Sequence, residues 1–121
     1  MSEFHNLINS NLLQGRIFFD KSLENLTWLK VGGRASCLYI PKNKKDLAVF
    51  LKQINKKVKI NVFGRLSNVL IRDGGISGVT ILIPPSFSEI EIHRNNKITL
   101  SSGMLDKNVS KLAFDNNLGG F

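Results

Sequence analysis

The sequence predicts an α+β fold: a small β/α layer followed by an antiparallel hairpin and a closing helix. Three observations predict it. Leu47, Phe50, Leu51 and Ile54 recur at the spacing of one helix face. Val79-Thr80-Ile81-Leu82-Ile83 is almost continuously apolar, as in a strand covered on both sides, and stops at Pro84-Pro85. Around Asn95-Asn96, apolar and polar residues alternate in two short arms.

In chain order, Phe4, Leu7, Ile8 and Leu12 at helical spacing suggest a short helix over 3–14, ended by Gly15. Residues 16–25 are mixed, and Asp20, Lys21 and Ser22 read as an exposed connection. Leu26–Val31 has strand composition, is interrupted by Gly32-Gly33, and resumes as Ala35–Ile40 before Pro41. Paired glycines there fit a turn, a bulge or a close backbone approach to a ligand. The clearest helix covers 44–56, with Asn43 as N-cap and Asp46 in the place of a capping-box acid. Lys52, Lys56 and Lys57 gather at its negative end.

Ile60–Phe63 is a short strand parallel in character to Val79–Ile83. Ile90 and Ile92, then Ile98 and Leu100, form a hairpin with one wet face, and Asn95-Asn96 can supply the two positive φ angles of a type I′ turn. A last helix is expected from Lys107 to Asn116, capped by Asp106, with Val109, Leu112 and Ala113 inward and a stop at Asn117 to Gly120.

A chain of 121 residues is one ordinary domain. No stretch approaches the roughly 18 apolar residues of a membrane helix, and the start lacks signal-peptide character. The single Cys37 excludes an internal disulfide, suits a reducing cytosol and, among Ala35, Leu38 and Tyr39, reads as a structural cysteine. The +8 charge comes from 17 Lys and Arg against 9 Asp and Glu. Its lysine runs, 42–45 and 56–59, carry no interleaved aromatics, so a nucleic-acid platform is not expected. His5 and His93 have no partners at ligand spacing, and no metal site is expected. Trp28 reads as a core anchor, and Arg72-Asp73 as a turn pair or a shaper of the neighbouring loop.

The stretch from Val62 to Val79 is the richest in chemistry. A strand feeds a tight turn at Gly64, then Ser67 and Asn68, then Gly74-Gly75 and Gly78. These residue types let backbone N–H groups converge on an anion, so the loop reads as a phosphate cradle.

Thr27-Trp28-Leu29-Lys30-Val31-Gly32-Gly33-Arg34-Ala35, followed at this distance by Phe63-Gly64-x-x-Ser67-Asn68-Val69-Leu70-Ile71-Arg72-Asp73-Gly74-Gly75, resembles the N-terminal part of the UDP-N-acetylenolpyruvoylglucosamine reductases. Ser101-Ser102-Gly103-Met104 and Leu118-Gly119-Gly120-Phe121 continue the likeness. The resemblance implies half of an FAD-binding fold of the vanillyl-alcohol-oxidase (PCMH) type. Residues 1–20 would be an extension and 21–121 a partial FAD domain, without the substrate domain. It also implies a cytoplasmic enzyme of peptidoglycan synthesis that uses FAD and NADPH to reduce an enolpyruvyl UDP-sugar to UDP-N-acetylmuramate. Gly64, Arg65, Leu66, Ser67, Asn68, Val69 and Gly103 would then face FAD. The family's proton-donating serine, its acidic partner and its catalytic arginine would lie beyond Phe121, so the chain alone is not expected to turn over.

One departure stands out. The family's Gly-x-Gly-Ser-Asn reads Gly64-Arg65-Leu66-Ser67-Asn68 here. A left-handed leucine would cost about 1–2 kcal/mol, and Arg65 could return about 1.5–3 kcal/mol through a phosphate contact. The bulk of Leu66 has no such offset, so weakened FAD binding is expected. Other readings stay open: a non-catalytic remnant binding an anionic partner, or another flavoprotein of the same fold. The Gly-Gly-Phe ending suggests a cut, with an apolar side around Leu112, Leu118 and Phe121 that invites dimerisation.

Overall fold

The computed structural model describes residues 4, 6–27, 30, 32–64, 66, 69–87 and 90–120. Among these residues, six strands and two α-helices follow one another: β1 (Arg16–Ser22), β2 (Arg34–Ile40), α1 (Lys44–Gln53), β3 (Ile60–Phe63), β4 (Ile76–Leu82), β5 (Ile90–His93), β6 (Lys97–Leu100) and α2 (Asp106–Asp115). The fold is mixed α+β, as the sequence patterns predict.

The main sheet has the order β1-β2-β4-β3. β4 lies between β2 and β3 and is parallel to both, while β1 pairs with β2 antiparallel. Side chains alternate across this sheet as the two-residue strand period requires. On one face Ile17, Phe19, Cys37, Tyr39, Val79 and Ile81 pack with Phe50 of α1 and with Phe4 and Ile8. The rings of Tyr39 and Phe50 stack, with centroids 4.1 Å apart. On the other face Phe18, Leu38 and Leu82 pack with Leu23, Val69 and Ile71. The β2–β4 register shifts between Ala35 and Cys37, with the extra residue on β4, and Ala35 packs with this second cluster.

Parallel neighbours need a long connection, of a dozen or more residues. Between β3 and β4 that connection is the loop 64–75 itself, and Val69 and Ile71 make it the cover of the second face. The chemically rich loop is thus also a structural layer.

Several elements differ from the sequence patterns. The helix expected over 3–14 is a turn, with Leu7 N–H bonded to Phe4 C=O, and one 3-10 turn at Ser10–Leu12. Asn9 accepts from the Asn11 amide, the local competition by which such side chains oppose a helix. Asp20, Lys21 and Ser22, read as an exposed connection within a mixed stretch, belong to β1, which runs from Arg16 to Ser22. Within 26–31, Leu26 closes a 3-10 turn and Thr27 is a buried bend, while Trp28, Leu29 and Val31 lie outside the described residues. Helix α1 ends at Gln53, so Lys52 alone of the three lysines sits in its last turn.

Asn43 caps α1 as expected, accepting from the Asp46 amide at 2.8 Å. Asp46 does not return the bond as in a capping box, because its carboxylate is turned to Gln14, Lys42 and Tyr39. The hairpin has a three-residue link in which Asn96 alone has positive φ (57°), so it is not a type I′ turn. Helix α2 starts at Asp106 after an N-cap at Leu105, and Asp106 serves the positive helix end from inside. Its C-terminus is a Schellman motif: Asn117 has φ 57°, and Leu118 N–H reaches the Ala113 carbonyl at 2.8 Å.

Candidate functional site

The C-terminal ends of β2, β3 and β4 emerge at the same edge of the sheet, where ligands of open parallel sheets sit. A cleft of about 260 Å³ opens there. The strand ends Ile40 and Leu82 line it, continued by Ile83, Pro84 and Pro85. Gly64 and Leu66 enter from the loop, and Arg16 and Leu26 complete the wall. Arg16 pairs with Ile40 in the β1–β2 register, which places it on this edge.

Two glycine contacts fix the cleft. A Cβ on Gly64 would lie 2.0 Å from the Ser102 carbonyl oxygen, and one on Gly103 would lie 2.4 Å from that of Ile83. The chain can therefore turn out of β3 only against the bare backbone that precedes α2. The base of the loop is held the same way. Gly33 N–H and Gly75 N–H both donate to the Arg72 carbonyl, at 3.1 and 2.8 Å. A Cβ on Gly33 would stand 2.5 Å from the Asp73 carbonyl oxygen. The two glycine-rich segments are thus locked backbone to backbone, and Gly32-Gly33 serves this packing.

Of the residues singled out in the sequence, Gly64 and Leu66 meet in the cleft, and Gly103 stands behind it. Val69 packs into the second core face instead. Arg65, Ser67 and Asn68 lie outside the described residues. Leu66 is buried, 6 % exposed, and is not among the described non-glycine residues with positive φ, which are Asp20, Lys30, Asn96 and Asn117. The left-handed strain considered for it does not arise, and what remains is its bulk. Sequence reasoning missed Arg16, Leu26, Ile40 and the Ile83–Pro85 wall. Only Pro84-Pro85 carried a signal, the end of a buried strand.

Cys37 is fully buried, and burial pushes its thiol up to about 12, so it holds its proton at neutral pH and is no nucleophile. His93 bonds Thr99 at 2.7 Å on the hairpin. Of the apolar side expected around Leu112, Leu118 and Phe121, the first two are half-buried and Phe121 lies outside the described residues. The large apolar side chain that α2 exposes is Phe114. Among the described residues, no helix is long and apolar enough to cross a membrane.

Fold and site together define a small α+β unit with a cleft at the carboxyl ends of parallel strands. No family model matches the chain. It is 42 % identical over 110 residues to the UDP-N-acetylenolpyruvoylglucosamine reductase of Rickettsia canadensis, covering 91 % of this chain and 37 % of the relative. It is 46 % identical over 101 residues to that of Orientia tsutsugamushi (81 % and 33 %), and 39 % over 112 residues to that of Pelagibacter ubique (93 % and 37 %). By sequence the chain belongs to the UDP-N-acetylenolpyruvoylglucosamine reductase family, and it spans about a third of the length of these relatives.

Proposed function

We propose that this chain forms one wall of the FAD site of a UDP-N-acetylenolpyruvoylglucosamine reductase, in a fold of the vanillyl-alcohol-oxidase (PCMH) type. The observation that carries the reading is the meeting of Gly64 and Leu66, from the loop that bears the resemblance, in a cleft at the ends of β2, β3 and β4. The donor chemistry fits a dinucleotide: an apolar wall of Ile40, Leu82, Ile83 and two prolines for ring and ribose carbons, with Arg16 beside it. At about 260 Å³ the cleft is below the ~300–1,000 Å³ of complete ligand pockets, so it takes part of the cofactor.

Bound FAD would supply the redox step between NADPH and the enolpyruvyl double bond of the UDP-sugar, giving UDP-N-acetylmuramate for peptidoglycan. This chain's share is to bind and orient. Gly64 lets the backbone turn tightly at the end of β3, and the apolar wall excludes water from one side of the cleft. Leu66 narrows the cleft and weakens the binding. The proton donor of the reaction has no counterpart assigned in these residues, and turnover needs the remaining two thirds of the reductase.

The test is titration of the purified chain with FAD by flavin fluorescence quenching, with an NADPH oxidation assay on the UDP-sugar. Weak, saturable FAD binding without turnover is expected. A chain that leaves FAD fluorescence unchanged at millimolar protein overturns the reading and favours a non-catalytic remnant.

A further inference from the structure

Among the described residues that line the cleft, Arg16 is the only charged one. Its side chain has no ion-pair or hydrogen-bond partner among the described residues. Arg34, also in the main sheet, contrasts with it: its guanidinium is held 3.3 Å from the Asp20 carboxylate and also donates to the Asp20 carbonyl. Arg16 opens β1, paired with Ile40 at the last rung of the β1–β2 ladder, so its backbone is fixed by the sheet. The other described lining residues are apolar or glycine.

Resting on the cofactor reading above, we infer that Arg16 binds the diphosphate of the dinucleotide in this cleft. A planar guanidinium presents parallel N–H groups that match two phosphate oxygens, and a charge-assisted pair of this kind is stronger than a neutral one. An uncommitted arginine needs no existing pair to be broken first. The +8 charge of the chain adds long-range attraction for an anionic ligand.

The test compares FAD with riboflavin, which has the same ring system and no phosphate, on the whole chain and on Arg16→Gln and Arg16→Lys. Arg16→Gln is expected to weaken FAD about 10- to 100-fold and to leave riboflavin unchanged. Arg16→Lys should recover part of the loss. Thermal melting of the variants should match the parent, since Arg16 is exposed and unpaired. If Arg16→Gln leaves FAD affinity intact, or weakens both ligands equally, the assignment falls while the cofactor reading stands. If the parent binds neither flavin, calorimetry with ADP decides: Arg16-dependent ADP binding keeps the diphosphate contact and removes the flavin. No ADP binding removes both.

Discussion

Tyr39 Oη donates a hydrogen bond to the Asp46 carboxylate inside the core, joining β2 to the first turn of α1. Tyr39 has no exposed surface, and Asp46 is 4 % exposed. Burial alone would raise the pKa of Asp46, but the Gln14 amide, the Tyr39 hydroxyl and the Lys42 and Gly15 amides outweigh it and hold the carboxyl below its ordinary range. The Tyr39 phenol is raised, by burial first and by Asp46 second. One carboxylate thus gathers the N-terminal segment, the end of β2 and α1.

Tyr39→Phe keeps the stack on Phe50 but removes a donor from a buried carboxylate, and should cost about 1–3 kcal/mol in urea unfolding. Asp46→Asn should cost about 2–4 kcal/mol, since its amide N–H₂ would face donors. The sign with pH follows from a depressed folded pKa. Asp46 contributes its full stability above the unfolded value of about 3.9 and loses it as pH falls through the folded value. The urea midpoint of the parent should drop below about pH 4, and that of Asp46→Asn should lack this component.

Gly74 and Gly75 are neighbours with opposite tolerances. Gly75 has φ +76°, and a Cβ there would lie 2.1 Å from the Arg34 carbonyl oxygen. Among the described residues, nothing lies within 4 Å of a Cβ on Gly74. Gly75→Ala should lose at least about 2 kcal/mol, from positive φ and the clash together. Gly74→Ala should stay within about 0.5 kcal/mol. Equal melting temperatures for the two variants would refute the backbone lock between the glycine segments.

Thr80 is 1 % exposed in β4, opposite Leu38 and Asn61, and its hydroxyl has no hydrogen-bond partner among the described residues. Thr80→Val keeps the branched shape and removes the orphan. A gain of about 1 kcal/mol is expected by chemical denaturation, and a clear loss would reveal a partner for the hydroxyl.

Leu66 is both wall and plug. Leu66→Ala should cost about 2–5 kcal/mol as a buried truncation, yet widen the cleft and tighten FAD in the quenching assay. Unchanged FAD affinity in a folded variant would separate Leu66 from cofactor access.

Much of this protein was legible in the sequence because its signals are local. The helical period of α1, the apolar run of β4, the alternation of the hairpin and the αL stop at Asn117 each depend on residues a few positions apart. The two glycine motifs identified the family, borne out by the match to its reductases. What the tertiary structure alone decided is what long-range pairing creates. Residues 16–22 are a strand because β2 offers an edge, and that rung carries Arg16 to the cleft. Asp46 turned away from its own cap because Tyr39 and the Gln14 and Lys42 amides offered it donors in a space closed to water. Leu66 became a buried wall with no left-handed strain. Local propensity writes periods and caps into a chain; burial and cross-strand partners exist only once distant segments meet.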